Sequence, residues 1–212
     1  MRNIKLKKGF TMLELIMVIV VIGILAAASM TQHRVTIRED FINNILNSLR
    51  YTQHLAMTDN KMNPNNPLWI RSLWTLKHEQ CDGKWQYTIA SDMSLDGDYQ
   101  STEAATSIVD QKLLFTDVND CESNNYSEDT AIGRKLTVSG INFNGCGAAK
   151  SISFDYLGRP HVNTETMANS DYSSLLKNNC IITYTFNVDI DPVIVNIARD
   201  TGYVSINNRA RL

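Results

Sequence analysis

KKGFTMLELIMVIVVIGILAAA, residues Lys7–Ala28, decides how the rest of the chain is read. Two lysines lead into Gly9 and Phe10, and a nearly unbroken apolar run continues to Met30. As a helix rising 1.5 Å per residue, that run is about 30 Å long, enough to cross a bilayer. One residue breaks the pattern. Glu14 stands inside the run, and a carboxylate at the centre of a membrane helix costs about 2.5–3.5 kcal/mol on insertion scales. Its place near one end lowers that cost.

Three readings of this segment compete. The first is a removable secretory signal, with Ala26–Ser29 resembling an A-x-A cleavage site. Against it, the apolar stretch exceeds a usual signal core and Glu14 interrupts its start. The second is a plain signal anchor, its lysines held in the cytoplasm by the positive-inside rule. That reading leaves Glu14 without a purpose. The third is cleavage between Gly9 and Phe10 by a peptidase at the cytoplasmic face. The cut removes the basic leader 1–9 and frees an amine at Phe10, one helical turn from Glu14. In a bundle of such helices each Glu14 pairs with the amine of a neighbour, so a costly intramembrane carboxylate sets the register between subunits. The third reading uses every odd feature.

Beyond Met30 the helical pattern becomes amphipathic. Ile37, Phe41, Ile45 and Leu49 recur at i, i+4, and Ile42, Leu46 and Leu55 widen the stripe. No Pro or Gly interrupts Ile24 to Asn60. The pattern predicts one long helix, transmembrane over 10–30 and amphipathic over 31–59, with its second part packed on a globular domain. NKMNPNNP, residues 60–67, ends it. Residues 60–212 alternate short β-rich runs with turn clusters. Strands are expected near Leu68–Leu76, Trp85–Ala90, Lys112–Val118, Lys135–Phe143, Ser151–Tyr156, Cys180–Val188, Val193–Ala198 and Gly202–Ile206. The class is therefore α+β, a long amino-terminal helix packed on an antiparallel β-sheet domain.

Composition adds bounds. The chain has 212 residues with a formal charge of −2, so no global basic excess points to nucleic acid. Without Arg2, Lys5, Lys7 and Lys8 the remainder carries about −6. Four cysteines, Cys81, Cys121, Cys146 and Cys180, all follow the apolar run and lack zinc-site spacing. Export of this part predicts disulfides, with three possible pairings; buried free thiols are the alternative. Cys146 precedes one expected strand and Cys180 begins another, so Cys146–Cys180 with Cys81–Cys121 is the expected set.

KKGFTMLELIMVIVVIGILAAA resembles the class III leader of type IV prepilins and type II secretion pseudopilins. The shared pattern is a basic leader, Gly at the cut, Phe next, Glu five residues into the mature chain, then about twenty apolar residues. By that resemblance prepilin peptidase cleaves after Gly9 and methylates Phe10. It further implies Glu14-dependent assembly with other pilins from the inner membrane, with the carboxy-terminal domain periplasmic. Many major pilins carry a helix-breaking Pro where this chain has Thr31, which fits a minor subunit. KWQYTIASDMSLDGDYQ, SISFDYLGRP and CIITYTF…VIVNIARDTGYVSI resemble the globular domain of GspH/FimT-type minor pilins. Tyr203 departs from that family's usual Arg.

Little else suggests chemistry. His33, His54, His78 and His161 share no spacing with Cys or Asp that makes a metal site, and no serine sits in a G-x-S-x-G elbow. Asp96 and Asp98 flank Gly97 without the full calcium-loop pattern, so a polar turn is the favoured reading. The expectation is a structural protein with no catalytic residues, metal or cofactor. Arg209 and Arg211 in the tail read as a solvated end; by resemblance to some FimT-like minor pilins they are also candidate DNA contacts.

Overall fold

A computed structural model describes residues 11–121, 123–132, 137–147 and 150–207, without the side chains of 27–36. The chain divides into two compact units at Glu39/Asp40. The division falls inside the long helix α1, Met12–Thr58, and within the segment read from sequence as 31–59. In the second unit the predicted stripe is buried. Ile42, Ile45 and Leu49 are fully enclosed, and the Phe41 ring meets Tyr184 and Phe186 edge-on at 5.2 and 5.1 Å. Burial of each such side chain contributes roughly 1.5–3 kcal/mol.

Two antiparallel four-stranded sheets complete this unit. The first has the order β2-β1-β4-β5, from β1 Trp74–Cys81, β2 Lys84–Ala90, β4 Ser151–Phe154 and β5 Pro160–His161. The second has the order β3-β6-β7-β8, from β3 Val138–Asn144, β6 Cys180–Phe186, β7 Val193–Ile197 and β8 Val204–Ile206. The architecture is the α+β class read from the sequence. Strands β6 and β7 alternate as half-buried strands should, with Cys180, Ile182 and Tyr184 inward, and Val193, Val195 and Ile197 inward opposite them.

The structure corrects several strand assignments. Residues expected to open a strand at Leu68 instead form a 3-10 turn, Trp69–Ser72. Asn66 starts it: its side chain accepts from the Leu68 amide and its carbonyl from that of Trp69. The turn buries Trp69, Ile70 and Leu73 against Met167 and Tyr172. The strand begins only at Trp74 and runs on to Cys81, through an unexpected hairpin. Asp82 and Gly83 both take positive φ, 49° and 72°, the two-residue turn that Asp-Gly favours.

Lys112–Val118 is not a continuous strand. It borders β2 irregularly because two segments share that edge. The Ile89 amide donates to the Leu114 carbonyl, while the Ile89 carbonyl accepts from Ala105. The two-residue β5 had no sequence signal; it follows the turn closed by Asp155.

Candidate functional site: the exposed apolar helix and its carboxylate

Helix α1 opens at a cap. Thr11 lies just before it, and its Oγ1 accepts from the Glu14 amide at 3.3 Å, while its carbonyl accepts from Leu15 at 3.2 Å. Thr-x-x-Glu is the spacing of a capping box, and the threonine half of it is formed here. The T-x-x-E spacing is the sequence signal for this cap. Glu14 thus occupies the first turn, where the helix dipole favours an acid by about 0.3–1 kcal/mol. That is less than the roughly 2.5–3.5 kcal/mol charged to a carboxylate at a bilayer centre. Capping alone does not account for Glu14 in an apolar surrounding.

Around Glu14 the helix is apolar on every side. Met12, Leu13 and each large residue from Leu15 to Leu25 stand exposed in the single chain. A helix apolar all round belongs in a core, a lipid phase or a bundle. Among the described residues no helix is long and apolar enough to cross a membrane. The described side chains of the run end at residue 26, short of the ~20 residues a span requires. Gly9 and Phe10 lie outside the described residues, as do Arg209 and Arg211.

In the second unit the structure brings Cys146 to Cys180 and Cys81 to Cys121, with Cα separations of 4.7 and 5.5 Å. Cys180 opens β6 beside the end of β3, where Asn144 pairs with Ile181. The side chain of His33 lies outside the described residues; among those described, no group of three or more His, Cys, Asp or Glu is gathered so as to hold a metal ion. Asp96 and Asp98 bond within their own turn: the Asp98 amide donates to Asp96, and the Tyr99 amide to Asp98.

Sequence spacing missed one assembly. Ser174 Oγ lies 2.7 Å from His161 Nδ1, and His161 Nε2 lies 3.5 Å from Asp155 Oδ2. Arg159 grips the same carboxylate at 2.7 and 2.8 Å, and the Leu157 and Arg159 amides also donate to it. Burial alone would raise the Asp155 carboxyl, but hydrogen bonds from His161 and Arg159 outweigh it and hold it at about 2. His161 and Ser174 are sealed from solvent, so the serine offers no nucleophile to a substrate. The group closes the 155–159 turn. A second buried pair, His78 Nε2 and the Tyr184 hydroxyl at 2.8 Å, sits in the core.

Residues 4–30 match the prokaryotic N-terminal methylation motif. The match spans Lys5, Lys7 and Lys8, the Gly9-Phe10 pair, Glu14 and the apolar run together. No curated protein matches the chain, and no solved structure matches it.

Proposed function

We propose that this type IV pilin-like chain is a minor pilin or pseudopilin of the GspH/FimT type. It is a structural, non-catalytic subunit of a type IV pilus or type II secretion filament. Prepilin peptidase cuts between Gly9 and Phe10 and methylates Phe10. Before assembly the apolar helix spans the inner membrane once, with the lysines cytoplasmic and the β unit periplasmic. In the filament Leu13–Leu25 pack among neighbouring helices, and Glu14 pairs with the Phe10 amine of an adjacent subunit. The observation that carries this reading is a helix apolar and exposed on all sides, interrupted by one carboxylate in its first turn. The methylation motif over residues 4–30 supports it.

The amino-terminal mass of the protein from cells tests it. Methyl-Phe10 is expected; a chain starting at Ser29 would make this a signal peptide, and one retaining Met1 a plain anchor. Glu14→Gln keeps a helix-compatible side chain and removes the charge. It should leave cleavage intact and stop incorporation into filaments, whereas normal incorporation would refute the pairing role.

A further inference from the structure

DMSLDGDYQSTE, residues 92–103, leaves β2 and leads to the segment that borders it at Ala105. Centred on Asp96 and Asp98 it reads as a polar turn. Counted from Asp92 it has a different order. Asp92, Ser94, Asp96, Asp98 and Gln100 fall at positions 1, 3, 5, 7 and 9, Gly97 at 6 and Glu103 at 12. A twelve-residue calcium loop takes its ligands from those six positions, the seventh through its carbonyl, and turns sharply at a glycine in the sixth. Ser94 stands where Asp or Asn is commoner, and its hydroxyl supplies the oxygen there.

The fold keeps this register. Gly97 has a φ of 89°, and a side chain on it would overlap the Glu165 carbonyl. Its amide donates to Asp92 Oδ2 at 2.8 Å, folding position 6 back over position 1. The Asp98 amide and the Gln100 side chain both donate to Asp96. Glu103 Oε1 accepts from the Met93 and Ser94 amides at 2.9 and 2.8 Å, and Oε2 from the Gln100 amide at 3.1 Å. Position 12 is thereby returned to the start of the loop.

Charge gives an observation independent of spacing. Asp92 is fully buried, yet no Lys, Arg or His pairs with it among the described residues. Its donors are neutral, the Ser94 hydroxyl and the Gly97 amide. Arg71 reaches the loop but gives its guanidinium to the Leu95 and Met167 carbonyls. Of the loop's four carboxylates, Asp98 is the one with a cation in reach, Lys77 Nζ at 4.0 Å. A buried charge is costly unless it is paired or coordinates a metal.

We propose that residues 92–103 bind one calcium ion. The side chains of Asp92, Ser94, Asp96 and Gln100, the Asp98 carbonyl and both carboxylate oxygens of Glu103 are the ligands, within the roughly six to eight oxygens calcium takes. In the conformation described the carboxylates are not gathered around a common point, because amides hold Glu103. Binding exchanges those amides for the ion and fastens the end of the loop to its beginning. The inference does not depend on the filament reading.

The test is calorimetric titration of the metal-stripped full chain, held in detergent, with calcium chloride. One ion per chain is expected, with a Kd of about 10⁻⁴–10⁻³ M, the range of extracellular calcium modules. The unfolding midpoint should rise in about 10 mM calcium. Asp96→Asn and Glu103→Gln should each weaken binding about tenfold or more, whereas Asp98→Asn, which keeps the carbonyl, should weaken it less than about threefold. The unmutated chain decides first: no heat of binding and no shift of the midpoint overturn the proposal. Equal losses in all three variants overturn it too, since a diffuse acidic patch would then hold the ion. Magnesium binding as tightly as calcium has the same consequence.

Discussion

Ile16, Ile19 and Ile22 in the first part of α1 are 56, 61 and 59% exposed, whereas Ile42, Ile45 and Leu49 on the same helix are fully buried. Residue type does not separate the two groups; the pattern around them does. Between Met12 and Leu25, Glu14 is the one charged residue, so the helix has no polar side to turn to water. From Asp40 onward, Asp40, Asn43, Asn47, Arg50 and His54 form an exposed stripe, and the apolar residues opposite are covered by the unit's own strands. One part of the helix is satisfied within the chain. The other is left exposed by the chain itself, and an all-round apolar helix of this kind belongs in a core, a lipid phase or a bundle.

Experiments can break or sharpen this contrast, and the largest effect should come from the β unit. Replacing Cys146 and Cys180 by Ser opens a link between residues 34 apart in sequence and should cost about 4 kcal/mol in the chain-entropy account. Denaturant unfolding under oxidising conditions measures it. Leu49→Ala empties a fully buried site and should cost roughly 2–5 kcal/mol, seen as a lowered unfolding midpoint.

The next effect depends on pH. Burial pushes His78 down to about 4; a bond to the Lys150 carbonyl opposes this, and the Lys150 charge adds to it. Between about pH 6.5 and 4 the unfolded histidine binds a proton that the folded one refuses. His78 therefore costs nothing above about pH 6.5, and stability falls as pH drops toward 4, by about 3 kcal/mol. In His78→Phe the unfolding midpoint should vary less over that window; an unchanged slope would remove His78 as the cause.

Smaller effects belong to the exposed part. Thr11→Ala removes the cap on the Glu14 amide and should weaken the first turn by about 1 kcal/mol, read as faster amide exchange at Glu14 and Leu15. Ile19→Ala should shift the unfolding midpoint of the β unit by less than about 0.5 kcal/mol. If it instead matches Leu49→Ala, the contrast between the two parts fails.

The legible features were those carried by local pattern. Ile37, Phe41, Ile45 and Leu49 announced an amphipathic helix, and alternation over Cys180–Phe186 announced a half-buried strand. Errors arose where local and non-local signals disagreed. Leu68–Ser72 is apolar enough for a strand, but the Asn66 side chain stabilises a turn there instead. Leu113 and Leu114 resemble strand residues, yet they share the β2 edge with Ala105. Asp82-Gly83 was a readable hairpin signal that the strand assignments passed over.

By itself the sequence determined the amino-terminal chemistry: a basic leader, a Gly-Phe junction and a single acid five residues into the run. These are neighbours along the chain, so their spacing is their geometry. Only the tertiary structure decided what Asp155, His161 and Ser174 do together, and which cysteine meets which. Those groups are tens of residues apart or lie in irregular turns. Their meeting depends on strand order and helix packing, which minimise exposed apolar area over the whole unit and leave no periodic trace in the sequence.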